Sequence, residues 1–229
     1  MRNLLDTRKD LQRRLLAEMT AAGYWEGRLS DSALANAIAV FALSRVDREE
    51  YAETIKCGLD WIAAQANDDG GWGDSPESRS NVTATVLCWV AFSLSEDREK
   101  HGPAIAAGEA WLRRAAGSLA PAAIHRAILK RYGDDRTFAA PILTMCALSG
   151  RFGDGREAWD MVPQLPFELM IFPHWLFGWL KLSVVSYALP ALIAIGYVRH
   201  RQRPSRNSLL RWLRHWIAPR ALRIAERMQ

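Results

Sequence analysis

Apolar residues recur at helical spacing along most of the chain, and no segment shows the alternation that is typical of a β-strand. Over residues 6–21, for example, Leu11, Leu15 and Met19 lie four positions apart, on one face of a predicted helix. The same spacing predicts further helices at residues 33–43, 51–66, 82–94, 103–116, 121–132 and 138–148. The pattern therefore predicts an all-α fold.

Two of these helices are preceded by residues whose side chains cap helix N-termini. Ser30, Asp31 and Ser32 precede the second helix, and Ser80 or Asn81 can cap the fourth.

The segment 58–73 carries the most specific pattern in the chain. It joins an apolar helix end, which contains Trp61, to Gln65, then to a polar Asn-Asp-Asp-Gly-Gly turn and finally to Trp72. Gly70 allows the left-handed backbone that ends a helix, and the Gln65 carboxamide can bond to the backbone groups left unpaired there. The Trp72 ring can stack on this corner. The alternative is an ordinary helix C-cap followed by a tryptophan.

Parts of this pattern occur at two other places. Trp25 stands 47 residues before Trp72, and Trp111 stands 50 residues after Trp61. Periods near 50 residues with two helices each are typical of helical repeats. We therefore expect an α/α barrel (toroid) whose ring is incomplete and leaves an open apolar edge.

Composition divides the chain into three regions. Residues 1–160 contain the helical repeats, and residues 161–198 contain a proline-punctuated connector and an apolar segment with one formal charge, Lys181, after position 168. Residues 199–229 form a basic, amphipathic tail. The sequence therefore predicts a change of character near residue 160 and another near residue 198.

The uncharged run at residues 182–198 has two interpretations. Its 17 residues are marginal for a membrane span. Ser183, Ser186 and Pro190 favour a helix buried in protein over a transmembrane helix.

The net charge of +5 is concentrated at one end of the chain. The tail contains nine arginines and one acid, Glu226, so it carries +8 while the remainder carries about −3. Such a basic end can bind anionic lipid, an acidic partner or nucleic acid. Nucleic acid is not expected, because no recognised binding module accompanies the charge.

Cysteine and histidine usage favours a reducing compartment and no metal. Cys57, Cys88 and Cys146 lie far apart in apolar helical stretches, so we expect buried free thiols. The five histidines lack metal-ligand spacing, no phosphate-binding loop occurs, and the N-terminus lacks a signal-peptide pattern. We expect a cytoplasmic protein without a metal or a cofactor.

The segment 58–73 resembles the QW repeat of the triterpene cyclases, the squalene-hopene cyclase family, whose pattern runs Gly-x-x-Trp-Leu-x-x-x-Gln-x-x-x-Gly-x-Trp. Further segments resemble other parts of the same family: residues 23–43, 135–150 and 182–196, and the connector residues Pro163, Pro166 and Glu168. The likeness covers nearly all of the chain.

This resemblance implies an enzyme that protonates a terminal double bond with the aspartic acid of an Asp-x-Asp-Asp motif. No such motif occurs in this sequence, and Asp68-Asp69 and Asp134-Asp135 are expected to serve a turn and a helix cap. We therefore expect the N-terminal portion of a cyclase, from a truncated gene or an excised piece, that is inactive alone. The implied partners are squalene or a related polyprenyl hydrocarbon for the whole enzyme and the remaining C-terminal part.

The resemblance also implies an aromatic wall of the substrate cavity. Family members often have Ser-Trp where this chain has Ser186-Tyr187. Aromatic faces stabilise the carbocations of polyene cyclisation without acting as bases. Tyr187 is the first candidate, and Phe172, Trp175 and Trp179 are the next candidates. The alternative is a plain core or membrane-contacting role.

The tail is predicted to contact a membrane surface. Its apolar residues at helical spacing are Leu209, Leu210, Leu213, Trp216 and Ile217, with Trp212 beside them. The residues that border or oppose them are Arg206, Arg211, Arg214 and Arg220. A basic amphipathic helix with tryptophans suits the plane of an anionic membrane, and family cyclases are peripheral (monotopic) membrane proteins. The alternative is a helix packed on the rest of a longer protein.

The sequence therefore indicates two alternative functions. The first is the N-terminal part of a class II triterpene cyclase that supplies scaffold, cavity wall and membrane contact. The alternative is a non-catalytic helical-repeat protein that binds lipid or a partner chain.

Overall fold

A computed structural model describes residues 4–27, 29–133, 136–168 and 189–227. Within these residues the regular secondary structure is helical, apart from one isolated β-bridge, which confirms the all-α prediction. The contacts divide the chain into two compact units, Met1–Asp31 and Ser32–Gln229.

The first unit contains helix α1, Leu4–Ala17, in which no residue is buried. The predicted helix over 6–21 ends early because Met19 and Trp25 form an antiparallel bridge. Within this bridge the Thr20 N–H donates to the Tyr24 carbonyl at 2.8 Å.

The second unit is built around α4, Val82–Ala91, in which every residue from Thr83 to Ala91 is buried. A helix without a charged face must be surrounded by others. The helices packed against α4 are α2 (Ala33–Val46), α5 (Arg98–Ala116), α6 (Pro121–Tyr132) and α7 (Arg136–Leu148). Helix α3, Ala52–Ala64, packs against α2 and α5.

The two C-terminal helices pack next to α7 in sequence order. Helix α8, Leu189–Gln202, packs on α7, and α9, Ser208–Glu226, packs on α8. Short 3-10 turns occupy Phe92–Leu94 and Ala158–Met161. A small second core joins the connector to the last two helices through Phe167, Ile193, Ile217, Ala218 and Ala221.

The predicted caps of α2 and α4 are confirmed. The Ser32 hydroxyl accepts the Ala35 N–H at 3.2 Å, and the Asn81 side chain accepts the Ala84 N–H at 3.0 Å. These bonds pair backbone donors that a helix N-terminus leaves unsatisfied.

Helix α5 begins five residues before its predicted start at Pro103. Asp97 caps it, because its carboxylate accepts the Lys100 N–H at 2.8 Å. Pro103 therefore lies inside the helix, near its beginning. The prediction was wrong because proline is favoured in the first helical turn, and a capping aspartate six positions earlier extended the helix.

Two of the three cysteines are buried thiols as predicted. Burial raises the pKa of Cys88 and raises that of Cys146 to about 12. Cys57 is exposed on α3, 3.8 Å from a carboxylate oxygen of Glu53 one turn earlier, so the expectation of burial was wrong there.

Candidate functional site

The turn after α3 is fixed by its own backbone. The Asn67 N–H donates to the Gly71 carbonyl at 2.9 Å, and the Gly70 N–H donates to the Asn67 carbonyl at 2.8 Å. Gly70 has a φ of +84°, and a Cβ there would lie 2.9 Å from the Ala107 carbonyl oxygen. Both the backbone conformation and the close approach of α5 require glycine at this position.

Asp69 is the polar centre of this turn. One carboxylate oxygen accepts the Ser80 hydroxyl at 2.6 Å and the Gly71 N–H at 3.0 Å, and the other accepts the Trp111 indole N–H at 2.9 Å. Arg114 donates to the Asp69 carbonyl at 2.6 Å. Burial raises the pKa of Asp69, but these hydrogen bonds and the charge of Arg114 hold that pKa below its ordinary value. Asp69 is therefore an ionised structural residue, as its predicted place in the turn implied.

Trp72 is completely buried where three helices meet. Its indole N–H donates to the Ile62 carbonyl in α3 at 2.8 Å, and its backbone N–H donates to the Thr85 hydroxyl of α4 at 3.0 Å. The edge of its ring lies over Gly108 of α5, where an added Cβ would be 2.7 Å away. A single residue therefore contacts α3, α4 and α5, through its side chain and its backbone N–H.

The Gln65 carboxamide does not make the contact predicted for it. The Gln65 backbone N–H bonds to the carbonyls of Trp61 and Ile62, but its side chain has no hydrogen-bond partner among the described residues. The Trp72 indole closes the end of α3 instead. The corner that the sequence predicted is present, and its donor is an indole rather than a carboxamide.

The other tryptophans of the repeat pattern have related places. The Trp25 indole N–H donates to the Leu15 carbonyl ten residues earlier, which is the separation between Trp72 and Ile62. The first unit therefore contains its own indole-to-carbonyl corner, in which the tryptophan is 48% exposed. Trp61 packs partly buried against the main core, and Trp111 bonds to Asp69 as described above.

A buried histidine network that the sequence did not reveal ties α3 to α5. Nε2 of His101 lies 2.9 Å from a carboxylate oxygen of Asp60, and Nδ1 lies 2.7 Å from the Ser95 hydroxyl. Hydrogen bonds from Lys100 and then from His101 lower the pKa of Asp60. His101 is 2% exposed and Ser95 7%, so the network joins helices and presents no accessible nucleophile. No local spacing could reveal it, because Asp60 and His101 lie 41 residues apart.

Glu168 of the connector forms a buried ion pair with Arg214 of α9. The Nε and Nη2 atoms of Arg214 lie 3.1 and 2.8 Å from the same Glu168 oxygen, and the two side chains are 12% and 9% exposed. The second Glu168 oxygen is buried, with no hydrogen-bond partner in the described part of the chain. The sequence placed Arg214 among the arginines that border or oppose the apolar face of the tail, but it did not reveal that the connector, 46 residues away, covers this side chain.

Only part of the predicted membrane face of α9 is exposed. Ile217 is 2% exposed within the second core, and Leu213 packs against that core. Leu210 is partly buried. Ile217 and Leu213 do not belong to an exposed face, because the connector and α8 pack on that side of the helix.

The outward side of α9 carries an apolar stripe. Its members, Leu209, Trp212 and Trp216, are 73%, 63% and 54% exposed. The two indoles stack with ring centroids 6.4 Å apart and planes 4° apart, and the Arg220 guanidinium lies 5.0 Å from the Trp216 ring centroid. We call Leu209, Trp212 and Trp216 the α9 stripe.

The predicted cavity aromatics, Phe172, Trp175, Trp179 and Tyr187, lie outside the described residues. Asp134 and Asp135 also lie outside them. Their roles stay predictions.

Two features are absent from the described residues. None of the helices found there is long and apolar enough to cross a membrane. Those residues also contain no group of three histidine, cysteine or acidic side chains that could hold a metal ion.

The corner at Trp72, the helical layer around it and the connector together define an all-α protein whose helices pack around α4. Residues 9–142 match the family model of the squalene-hopene cyclase N-terminal domain. This match covers more than half of the chain, so the chain belongs to the squalene-hopene cyclase family, and the predicted resemblance is confirmed. No curated protein and no solved structure matched the chain.

Proposed function

We propose that this chain forms the N-terminal scaffold and one cavity wall of a class II triterpene cyclase. The whole enzyme would act on squalene or a related polyprenyl hydrocarbon. The match of residues 9–142 to the N-terminal domain of squalene-hopene cyclases is the observation that carries this proposal. The corner at Trp72 supports it, because it holds α3, α4 and α5 in one helical layer.

The chemical role proposed for this chain is to shield the reacting polyene and to stabilise its cations. Polyene cyclisation proceeds through carbocations, which aromatic faces stabilise without removing a proton. Tyr187 is the first residue proposed for this role, and Phe172, Trp175 and Trp179 are the next candidates.

Proton donation is not assigned to this chain. The sequence contains no Asp-x-Asp-Asp motif. An acid that protonates an alkene must stay neutral until it reacts, whereas hydrogen bonds and Arg114 outweigh the effect of burial and lower the pKa of Asp69. Asp69 therefore has the wrong protonation state for that step.

We also infer that the α9 stripe contacts an anionic membrane and holds the protein peripherally on its surface. Tryptophan and leucine side chains exposed beside arginines suit the boundary between headgroups and acyl chains. This contact would place the scaffold where an insoluble hydrocarbon is dissolved.

A photoreactive squalene analogue tests the cavity wall. The full chain is irradiated with the analogue in detergent micelles, and the labelled peptides are mapped by mass spectrometry. We expect labels within residues 169–188 and no cyclised product from squalene itself. Labels confined to the tail would favour the alternative, a non-catalytic lipid-binding protein, and hopanoid formation by this chain alone would show that it holds the acid.

Flotation with vesicles of phosphatidylcholine and phosphatidylglycerol tests the membrane contact. The double variant Trp212→Ala/Trp216→Ala is expected to lose most of the vesicle-bound fraction. Trp25→Ala is the matched control, because it removes an exposed tryptophan from the other unit and is expected to float like the wild type. Equal flotation of the wild type and the double variant would contradict the contact.

A further inference from the structure

A basic pocket lies between the end of α8 and the start of α9. Its volume is about 470 Å³, which is within the range of small-molecule sites. Its lining includes His200, Arg201, Ser208, Arg211, Trp212 and His215.

The two arginines of this pocket are available to a ligand. Within the described residues neither Arg201 nor Arg211 forms a salt bridge. Arg203, close by, differs because both oxygens of Asp160 hold it at 2.8 and 2.9 Å. Two guanidinium groups that lie at one pocket without a carboxylate partner favour the binding of an external anion. A phosphate suits them, because the planar guanidinium matches phosphate geometry.

The position of Trp212 connects this pocket to the α9 stripe. Trp212 lines the pocket and also stacks on Trp216 within the stripe. Tryptophans of membrane proteins lie at the level of the lipid headgroups. A group bound in the pocket would therefore lie at that level once the stripe contacts a bilayer.

We propose that this pocket binds the phosphate of an anionic glycerophospholipid headgroup, with Arg201 and Arg211 as its ligands. The proposal rests on the membrane contact of the α9 stripe. It adds headgroup recognition to that contact, so that the protein distinguishes a phosphate from another anion of equal charge.

The test compares two vesicle types with the same molar fraction of negative charge in phosphatidylcholine. One carries phosphatidylglycerol, and the other carries cholesteryl hemisuccinate, whose charge is a carboxylate. The wild-type chain is expected to bind the phosphatidylglycerol vesicles about fivefold more tightly, the effect of about one well-placed cation. The variant Arg201→Gln/Arg211→Gln is expected to bind both vesicle types equally.

Arg223→Gln provides the matched control. It removes an arginine of the same helix that does not line the pocket. We expect this variant to bind both vesicle types less tightly and to keep the preference for phosphatidylglycerol. No preference in the wild type, or a preference that survives in Arg201→Gln/Arg211→Gln, would overturn the headgroup site. In either case, loss of binding in Trp212→Ala/Trp216→Ala would leave the membrane contact standing.

A titration with free glycerol 3-phosphate distinguishes a lipid ligand from a soluble ligand. Calorimetric titration of the full chain is expected to show no binding at concentrations where the vesicles saturate it. Binding as tight as that of the vesicles would identify a soluble phosphate ligand and overturn the lipid assignment.

Discussion

The indole N–H of Trp72 donates a 2.8 Å hydrogen bond to the carbonyl oxygen of Ile62, and both side chains are completely buried. The bond gives the Ile62 carbonyl at the end of α3 a second donor, closer than the Gln65 backbone N–H at 3.2 Å. Trp25 and Leu15 form the same contact in the first unit, where the indole is half exposed.

Trp72→Phe is expected to lower the free energy of unfolding by about 2–4 kcal/mol, because it removes a buried hydrogen bond and leaves a cavity beside Gly108. Trp25→Phe is the control, and we expect it to cost less than about 1 kcal/mol, because water can replace the lost donor. Urea denaturation followed by circular dichroism measures both. Similar costs for the two substitutions would show that burial at Trp72 does not govern the strength of this corner.

Two glycines of α5 separate packing from helix propensity. A Cβ at Gly108 would meet the Trp72 ring at 2.7 Å, whereas one at Gly102 would meet no atom within 4 Å. Gly108→Ala is therefore expected to destabilise the protein by about 1–3 kcal/mol. Gly102→Ala is expected to stabilise it by up to about 1 kcal/mol, because alanine favours the helix. A stabilised Gly108→Ala variant in thermal denaturation would show that the ring can move aside without cost.

The sequence predicted features that depend on neighbouring residues. Helical periodicity located the helices, and the side chains of Ser32 and Asn81 marked two N-termini because a cap acts on an N–H three residues away. The corner at Trp72 could also be predicted, since its indole reaches only ten residues back along the chain.

Features that depend on distant residues could not be predicted in this way. The solvent-facing side of α9 follows from how α8 and the connector pack on it, so Ile217 and Trp216 have opposite environments although both were predicted in one apolar face. Likewise, the partner of Arg214 lies 46 residues away. Helical spacing shows which residues share a face, but it does not show which face is covered.

Arg214→Met is expected to destabilise the protein by about 3–5 kcal/mol, because it leaves the Glu168 carboxylate buried without its partner. The double variant Glu168→Gln/Arg214→Met is expected to recover part of that loss, because neither charge then remains in the interior. Urea denaturation of both variants measures the difference. A double variant less stable than Arg214→Met alone would show that Glu168 has a second stabilising partner.

Two histidines make stability depend on pH. Burial, followed by the charge of Arg214, lowers the pKa of His200, and burial lowers that of His125. The ordinary histidine pKa is 6.5, so below that pH the unfolded chain takes up protons that the folded chain does not. The free energy of unfolding should therefore be level between about pH 7 and pH 8 and decrease as the pH falls below 6.5 towards the lower folded-state pKa values.

Substitution of these histidines tests the assignment of that pH dependence. His200→Gln and His125→Gln should each reduce the decrease of stability between about pH 7 and pH 5, and the double variant should reduce it further. The carboxylates do not interfere, because the pKa values of Asp60 and Asp69 are lowered from 3.8 and their contributions are lost only at more acidic pH. Urea denaturation at several pH values across this window measures the slope. If the double variant kept the wild-type slope, the protons would be taken up elsewhere in the chain.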